Sequence, residues 1–132
     1  MRVISGAYRG TPGATRGLYI QPDFWDVALR PGVQWQTGTQ EGATAFVYVL
    51  EGSGRFGPEP GVTVAAKHAA LFGEGGALRV TAGQKGLRFL LLCGQPLHEP
   101  IAWGGPIVMN TQAELKQAFK ELEEGTFIKQ HA

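Results

Sequence analysis

Any chemistry this chain performs must come from few side chains, because it holds three histidines and one cysteine. Imidazole serves as a metal ligand or a base when partners converge on it. His98 precedes Glu99 in PLHEP, but neighbours in an extended segment point to opposite sides and cannot easily share one ion. The Glu99 carboxylate is expected instead to accept backbone N–H groups of the glycine-rich tail. His68, in AKHAAL, reads as a surface or strand-end residue, and His131 lies in the terminus. Cys93 sits in LLLCG, an apolar setting that favours an inert buried thiol. No Ser-His-Asp or Cys-His arrangement is suggested. The GEGG at residues 73–76 lacks the Lys and helix of a phosphate loop. There remains GVQWQTGTQEGATAFVYVLEG, residues 32–52. It reads as a strand, a short polar crossing and a second strand closing on a Glu-Gly turn. In small antiparallel barrels such a corner often carries metal-binding histidines. Here those positions hold Gly, Gln and Ala.

The elements that would position such a corner are short and mostly extended. RVISGAY opens with a short strand, and TPGATRGLYIQP reads as a loop followed by another. DFWDVALRPG alternates Trp25, Val27 and Leu29 with polar or small residues and ends on a Pro-Gly turn, the pattern of a half-buried strand. VQWQTG alternates again. AFVYVLEG is apolar at successive positions and is expected to be buried on both faces. GVTVAA, HAALF, GALRVTAG and GLRFLLLCG follow as separate strands between glycine-bearing turns. Such spacing predicts a sandwich or closed barrel. QPLHEPIAWGGPIVMN holds three prolines and two adjacent glycines, so it reads as irregular; its apolar content predicts that it lies against the barrel wall. TQAELKQAFKELEEG reads as the one helix. Thr111 and Glu114 have capping-box spacing, and Leu115, Ala118, Phe119 and Leu122 form one stripe. Gly125 supplies the stop. Glu121, Glu123 and Glu124 crowd the end where the helix dipole disfavours anions.

The 132 residues fit one domain. Hydrophobic residues make up 43% and charged residues 17%, a compact globular composition. Twelve basic against eleven acidic residues give no cationic footprint for nucleic acid. The apolar run 89–93 is too short to span a bilayer. The N-terminus shows no signal-peptide pattern, and a single cysteine permits no internal disulfide; together they predict a cytoplasmic setting. Twenty glycines and eight prolines are dispersed without repeat, the punctuation of an all-β domain.

VYVLEGSGRFG and then LRFLLLCGQPLHEPIAWGGPIVMNTQAELKQAFKELEEGTF resemble the second half of pirin proteins. The combination of G-x-P-x-x-E-P, a Gly-Pro, V-M-N-T and a helix closing on E-x-G-x-F spans roughly the last forty residues; looser similarity reaches back to VALRPG. The resemblance implies an all-β fold: a single cupin, or jelly-roll, β-barrel over about residues 1–94. An apolar irregular tail (95–110) and one C-terminal α-helix (111–125) would follow. It also implies that iron and a quercetin 2,3-dioxygenase-like activity belong to a first barrel absent from this chain. No cofactor is expected here. The first cupin motif, laid on Gly32 and Gly52, puts its two histidine positions on Gly38 and Gln40 and its carboxylate near Thr44 or Ala45. None of these binds iron tightly. The second motif falls on LRFLLL, where Arg88 is the only polar residue and is cationic.

Two functions are compatible with this reading. The first is a non-catalytic, metal-free module packing against a metal-bearing cupin barrel or its own copy as a homodimer. A surplus of large apolar residues (Trp25, Trp35, Phe46, Trp103, Phe119, Phe127) supports it. The second is a quercetinase-like or small-ligand-binding cupin whose barrel mouth, lined by Gln36, Gln40, Tyr48 and Arg88, holds an anionic or phenolic compound. No catalytic or metal-binding residue is assigned, and neither nucleic acid nor membrane is expected as a partner.

Overall fold

The computed structural model describes residues 1–15, 19–73 and 75–129. Two compact units emerge, Met1–Pro96 and Leu97–Ala132. The first is all β: β1 (Arg2–Ser5), β2 (Ala7–Tyr8), β3 (Thr11–Pro12), β4 (Asp23–Leu29), β5 (Gln34–Gly38), β6 (Thr44–Phe56), β7 (Val62–Ala65), β8 (Ala69–Leu71) and β9 (Ala77–Gly94). β2 and β3 form a small hairpin; the other seven strands form one sheet in the order β1-β4-β9-β6-β7, with β5 also on β9 and β8 also on β6. Every strand pairing is antiparallel.

The two long strands let this sheet fold over on itself. The second half of β9 pairs with β4, and its first half with β5. Likewise the first half of β6 carries β8 and its last residues carry β7. Between the halves the register breaks, because Gly52 faces Leu87 while Gly54 faces Ala82. A bulge of this kind bends the ladder and turns the strand onto a second face. The bend demands glycine: Gly52 has φ 72°, and a Cβ there would collide with the Gly86 carbonyl. Inward residues of both halves then meet in one core built on Phe89, Leu91, Val27, Val47 and Val49. Each such side chain contributes about 1.5–3 kcal/mol when buried.

Four expectations change. GALRVTAG and GLRFLLLCG are not separate strands but the two halves of β9, since the glycines between them make a bulge rather than a turn. No strand forms at Tyr19–Pro22; residues 16–18 of that segment lie outside the described residues. AFVYVLEG buries only one face: Ala45, Val47 and Val49 point inward, while Phe46 and Tyr48 remain 37% and 38% exposed. Among the described residues the ladders also do not close into a ring.

The second unit contains a regular element that its prolines and glycines did not announce. β10 (Ala102–Gly104) pairs with β11 (Ile107–Met109), Gly104 facing Ile107 across a Gly-Pro turn. Pro106 falls in the turn, where its missing N–H costs no ladder bond. The helix α1 (Gln112–Glu123) has both halves of the capping box, and Gly125 takes the left-handed stop at φ 70°. Leu115 and Ala118 pack with Ala102 and Ile107, Met109 beside them. The hairpin thus sits on the helix stripe. Leu97, Ile101, Trp103 and Val108 remain exposed. The crowded helix end is relieved by ion pairs: Lys129 Nζ lies 2.9 Å from Glu121, and Lys120 lies 3.8 Å from Glu124.

Candidate functional site

The corner where metal ligands would be sought lies at the end of β5, the following turn and the start of β6. Gly38 ends β5, and Gln40 lies in the turn. Ala45 is buried on β6 opposite Cys93 of β9, and Cys93 also faces Asp23 of β4. The carboxyl group of Asp23 and the thiol of Cys93 therefore stand on neighbouring strands. Burial pushes both pKa values up, and the Asp23 charge adds to the rise at Cys93. The Gln40 side chain accepts from Gln95 Nε2 at 3.5 Å, the outer limit of a hydrogen bond.

A cleft opens beside this corner in two lobes of about 450 and 460 Å³ that share Ala7, Asp23 and Gln40. Tyr8, Arg9, Trp25 and Gln36 line one lobe, Ser5 and Gln21 the other. An aromatic cluster backs it: Tyr8 meets Trp25 edge-on at 5.2 Å and stacks with Trp35 at 6.2 Å. The Trp35 indole donates to the Tyr8 hydroxyl at 3.2 Å. By contrast, the Trp25 indole N–H is buried and has no acceptor among the described residues. A polar group left in that state costs roughly 1–3 kcal/mol.

A second feature lies on the outside of the first unit. On the half-sheet built from β4, the second half of β9, the first half of β6 and β8, one cross-strand row reads Phe24, Leu92, Phe46, Leu71. The next row reads Asp26, Leu90, Tyr48, Ala69. Leu71 is 73% exposed. The other half-sheet presents Gln34, Gln36, Arg79, Thr81 and Arg55 outward, so only the first half carries an apolar outer row, which lies beside the Arg88–Asp26–Glu51 ion cluster.

The profile of the Pirin C-terminal cupin domain matches residues 24–128. This chain belongs to the pirin family. It is similar to Pirin-1 of Arabidopsis thaliana, 40% identical over 93% of this chain and 44% of that protein, and to human Pirin, 35% identical over 88% and 40%. A crystal structure of quercetin 2,3-dioxygenase from Acinetobacter baumannii superposes with TM-score 0.85 at 35% identity, covering 95% of this chain and 42% of that one. The fold is a cupin jelly roll. The chain spans about half the length, or less, of the relatives it matches.

Iron in a cupin needs several imidazoles or carboxylates converging on one point. In this pirin-family domain the positions expected for the motif hold Gly38, Gln40 and Thr44 or Ala45, and the carboxyl and thiol nearby are held toward their neutral forms. No three His, Cys, Asp or Glu side chains converge among the described residues. This donor set does not fit iron.

Of the four residues expected at the mouth, the structure brings Gln36 and Gln40 to one cleft and sends Tyr48 and Arg88 elsewhere. Tyr48 faces outward because its neighbours Val47 and Val49 fill the core. Arg88 faces outward too and grips Asp26 through two bonds of 3.0 and 2.8 Å, with a third to Glu51 at 3.2 Å. Its pKa is raised and that of Asp26 lowered by this pairing. Glu99 accepts from the Asn110 side-chain amide at 2.7 Å, not from tail backbone. His68 is exposed, its Nδ1 3.0 Å from the Ala66 carbonyl, and Cys93 is buried, as their contexts predict. His131 lies outside the described residues. Sequence reading missed Ser5, Tyr8, Arg9 and Asp23, which reach the cleft from the N-terminal strands and β4. Only the Asp that breaks the apolar alternation of β4 signalled one of them.

Proposed function

We propose that the chain is a non-catalytic, metal-free cupin module. Its outer apolar half-sheet docks on a second cupin barrel of the iron-binding type that the pirin resemblance implies. The rows from Phe24 to Leu71 carry this reading. An exposed apolar patch rimmed by polar groups marks an interaction site, and here the row is open at Phe46, Tyr48 and Leu71 beside the Arg88–Asp26–Glu51 cluster. The relatives supply the reason to choose a barrel as occupant. They carry as much chain again, or more, beyond the part matched by a profile described as C-terminal. Any quercetin 2,3-dioxygenase chemistry, named for the Acinetobacter structure, would on this reading belong to that other part. No helix among the described residues is long and apolar enough to cross a membrane; a cytoplasmic setting is part of the proposal.

Sedimentation of this chain, alone and mixed with the N-terminal barrel of a pirin relative, tests it. A one-to-one complex at roughly 100 micromolar or below is expected. Self-association without a mixed complex would make a second copy the occupant and overturn the choice of partner. Two non-interacting monomers would remove the docking function altogether.

A further inference from the structure

We propose that the outer face of the β10–β11 hairpin is a second contact for the same partner barrel. The inference rests on the docking reading above and adds to it a surface from the other compact unit.

The hairpin has two unlike faces. Ala102 and Ile107 turn toward α1 and are buried with Leu115 and Ala118. Trp103 and Val108 stand opposite each other across the ladder on the other face, 74% and 60% exposed. Ile101, two places before Trp103, is 78% exposed. The Trp103 indole N–H already donates to the Gly105 carbonyl at 2.8 Å, so the ring presents a surface with no polar edge left to satisfy. From Ile101 to Thr111 the sequence carries no charged residue. An uncharged patch centred on a tryptophan has the composition of an interface core. Because α1 holds the hairpin from behind, docking would order little backbone and lose little entropy. The unit also gains from a cover: below roughly 40 residues a core seldom suffices without a disulfide, a metal or association. Here the core is Ala102, Ile107, Leu115 and Ala118 with Met109 beside them.

Area selects the occupant. Ile101, Trp103 and Val108 together expose roughly 400 Å². Two copies meeting through this face would bury about 800 Å² in total, less than the roughly 1,000 Å² that a specific pair requires. Phe46, Tyr48 and Leu71 on the first unit expose roughly 300 Å², also too little alone against the roughly 800 Å² that each partner commits in a standard complex. The two faces together approach that figure. The relatives carry their remaining length in the same chain as the part matched here, which includes the hairpin and helix. One partner body is therefore at hand for both faces.

Trp103→Ala and Ile101→Glu test this in the intact chain, mixed with the N-terminal barrel of a pirin relative and followed by sedimentation and hydrogen exchange. Both side chains are exposed, so helical circular dichroism should be unchanged. Each variant should weaken the mixed complex roughly tenfold or more. In the wild-type complex the amides of residues 102–109 should exchange more slowly than in the free chain. If Trp103→Ala loses the hairpin, Ile101→Glu, outside both strands, carries the test. Weakening by Leu71→Glu but by neither hairpin variant overturns this inference and leaves the outer-face reading standing. Weakening by the hairpin variants but not by Leu71→Glu keeps the hairpin contact and removes the outer-face reading. Self-association that Trp103→Ala abolishes would make a second copy the occupant and overturn the proposal, as would a wild-type mixture that forms no complex.

Discussion

Asp23 and Asp26 stand three places apart on one strand, an odd separation that puts them on opposite faces, and their environments pull their acidities in opposite directions. Asp23 faces the cleft, where desolvation raises its pKa despite the Ala7 bond; Asp26 faces outward into the fork of Arg88, which lowers it. The linkage signs follow. A raised carboxyl pKa means that the charged form is resisted by the fold, a cost present at neutral pH and relieved as pH falls through the folded value. A lowered one contributes stability above the unfolded value that is lost as pH falls through the folded value. Asp23→Asn should therefore raise the melting temperature near neutrality, with the gain vanishing in acid. Asp26→Asn should lower it near neutrality, with the loss shrinking in acid. Thermal melts of both variants across that range check the signs; shifts of a few degrees, roughly, are expected, the Asp26 effect moderated by the 40% exposure of its Arg88 partner. Melting curves of the two variants that move the same way would refute the assignment. Sequence alternation shows which side of β4 each residue occupies. It does not show that Arg88, 62 positions away, is the partner, because that pairing depends on how β9 registers against β4.

Elements were most legible where local rules act alone. The helix start is the clearest case: Thr111 Oγ accepts the Glu114 N–H at 3.2 Å, and the Glu114 carboxylate accepts the Thr111 N–H at 2.8 Å. Both partners lie within one turn, so four residues of sequence suffice to read the motif. Thr111→Ala should cost the second unit about 1 kcal/mol, seen as reduced helical circular dichroism and earlier melting. Thr111→Ser should recover most of the loss, whereas an unchanged signal in the Ala variant would mean that packing of Leu115 and Ala118 alone holds the helix. Where distant backbone decides, the sequence was misleading. The glycines of TAGQKG look like a turn but form a bulge, because Gly52 of another strand approaches Gly86 closely. Proline and glycine in the tail look like breakers, but they close the β10–β11 hairpin once helix α1 offers it an apolar seat. The residue types at the corner could be read from sequence alone, whereas the cleft could not be seen, since its walls come from β2, β4 and β5 together.

At the scale of the whole molecule, the informative property is the difference between the outer faces of the two half-sheets. A single strand, β9, runs through both, with Arg79 and Thr81 outward in its first half and Leu90 and Leu92, beside the ion-paired Arg88, outward in its second. Local composition near β9 does not require this asymmetry, and a sheet facing water gains nothing from it. On the proposed reading it is the surface that meets the partner barrel. Leu71 allows that idea to be separated from folding. At 73% exposure it contributes little to the core of the isolated unit, so Leu71→Glu should change the unfolding free energy by no more than about 0.5 kcal/mol. Its cross-strand row with Phe46 and Leu92 would be inside a docked interface, where a buried unpaired carboxylate is heavily penalised. The same variant should then weaken association with the partner barrel by about a hundredfold, a loss of some 2–3 kcal/mol. Arg79→Glu, on the polar half, serves as the charge-matched control and should leave association unchanged. Equal effects of the two variants on binding would mean that the apolar rows are not the contact surface, and an unfolded Leu71→Glu chain would mean that Leu71 belongs to the fold of the single barrel.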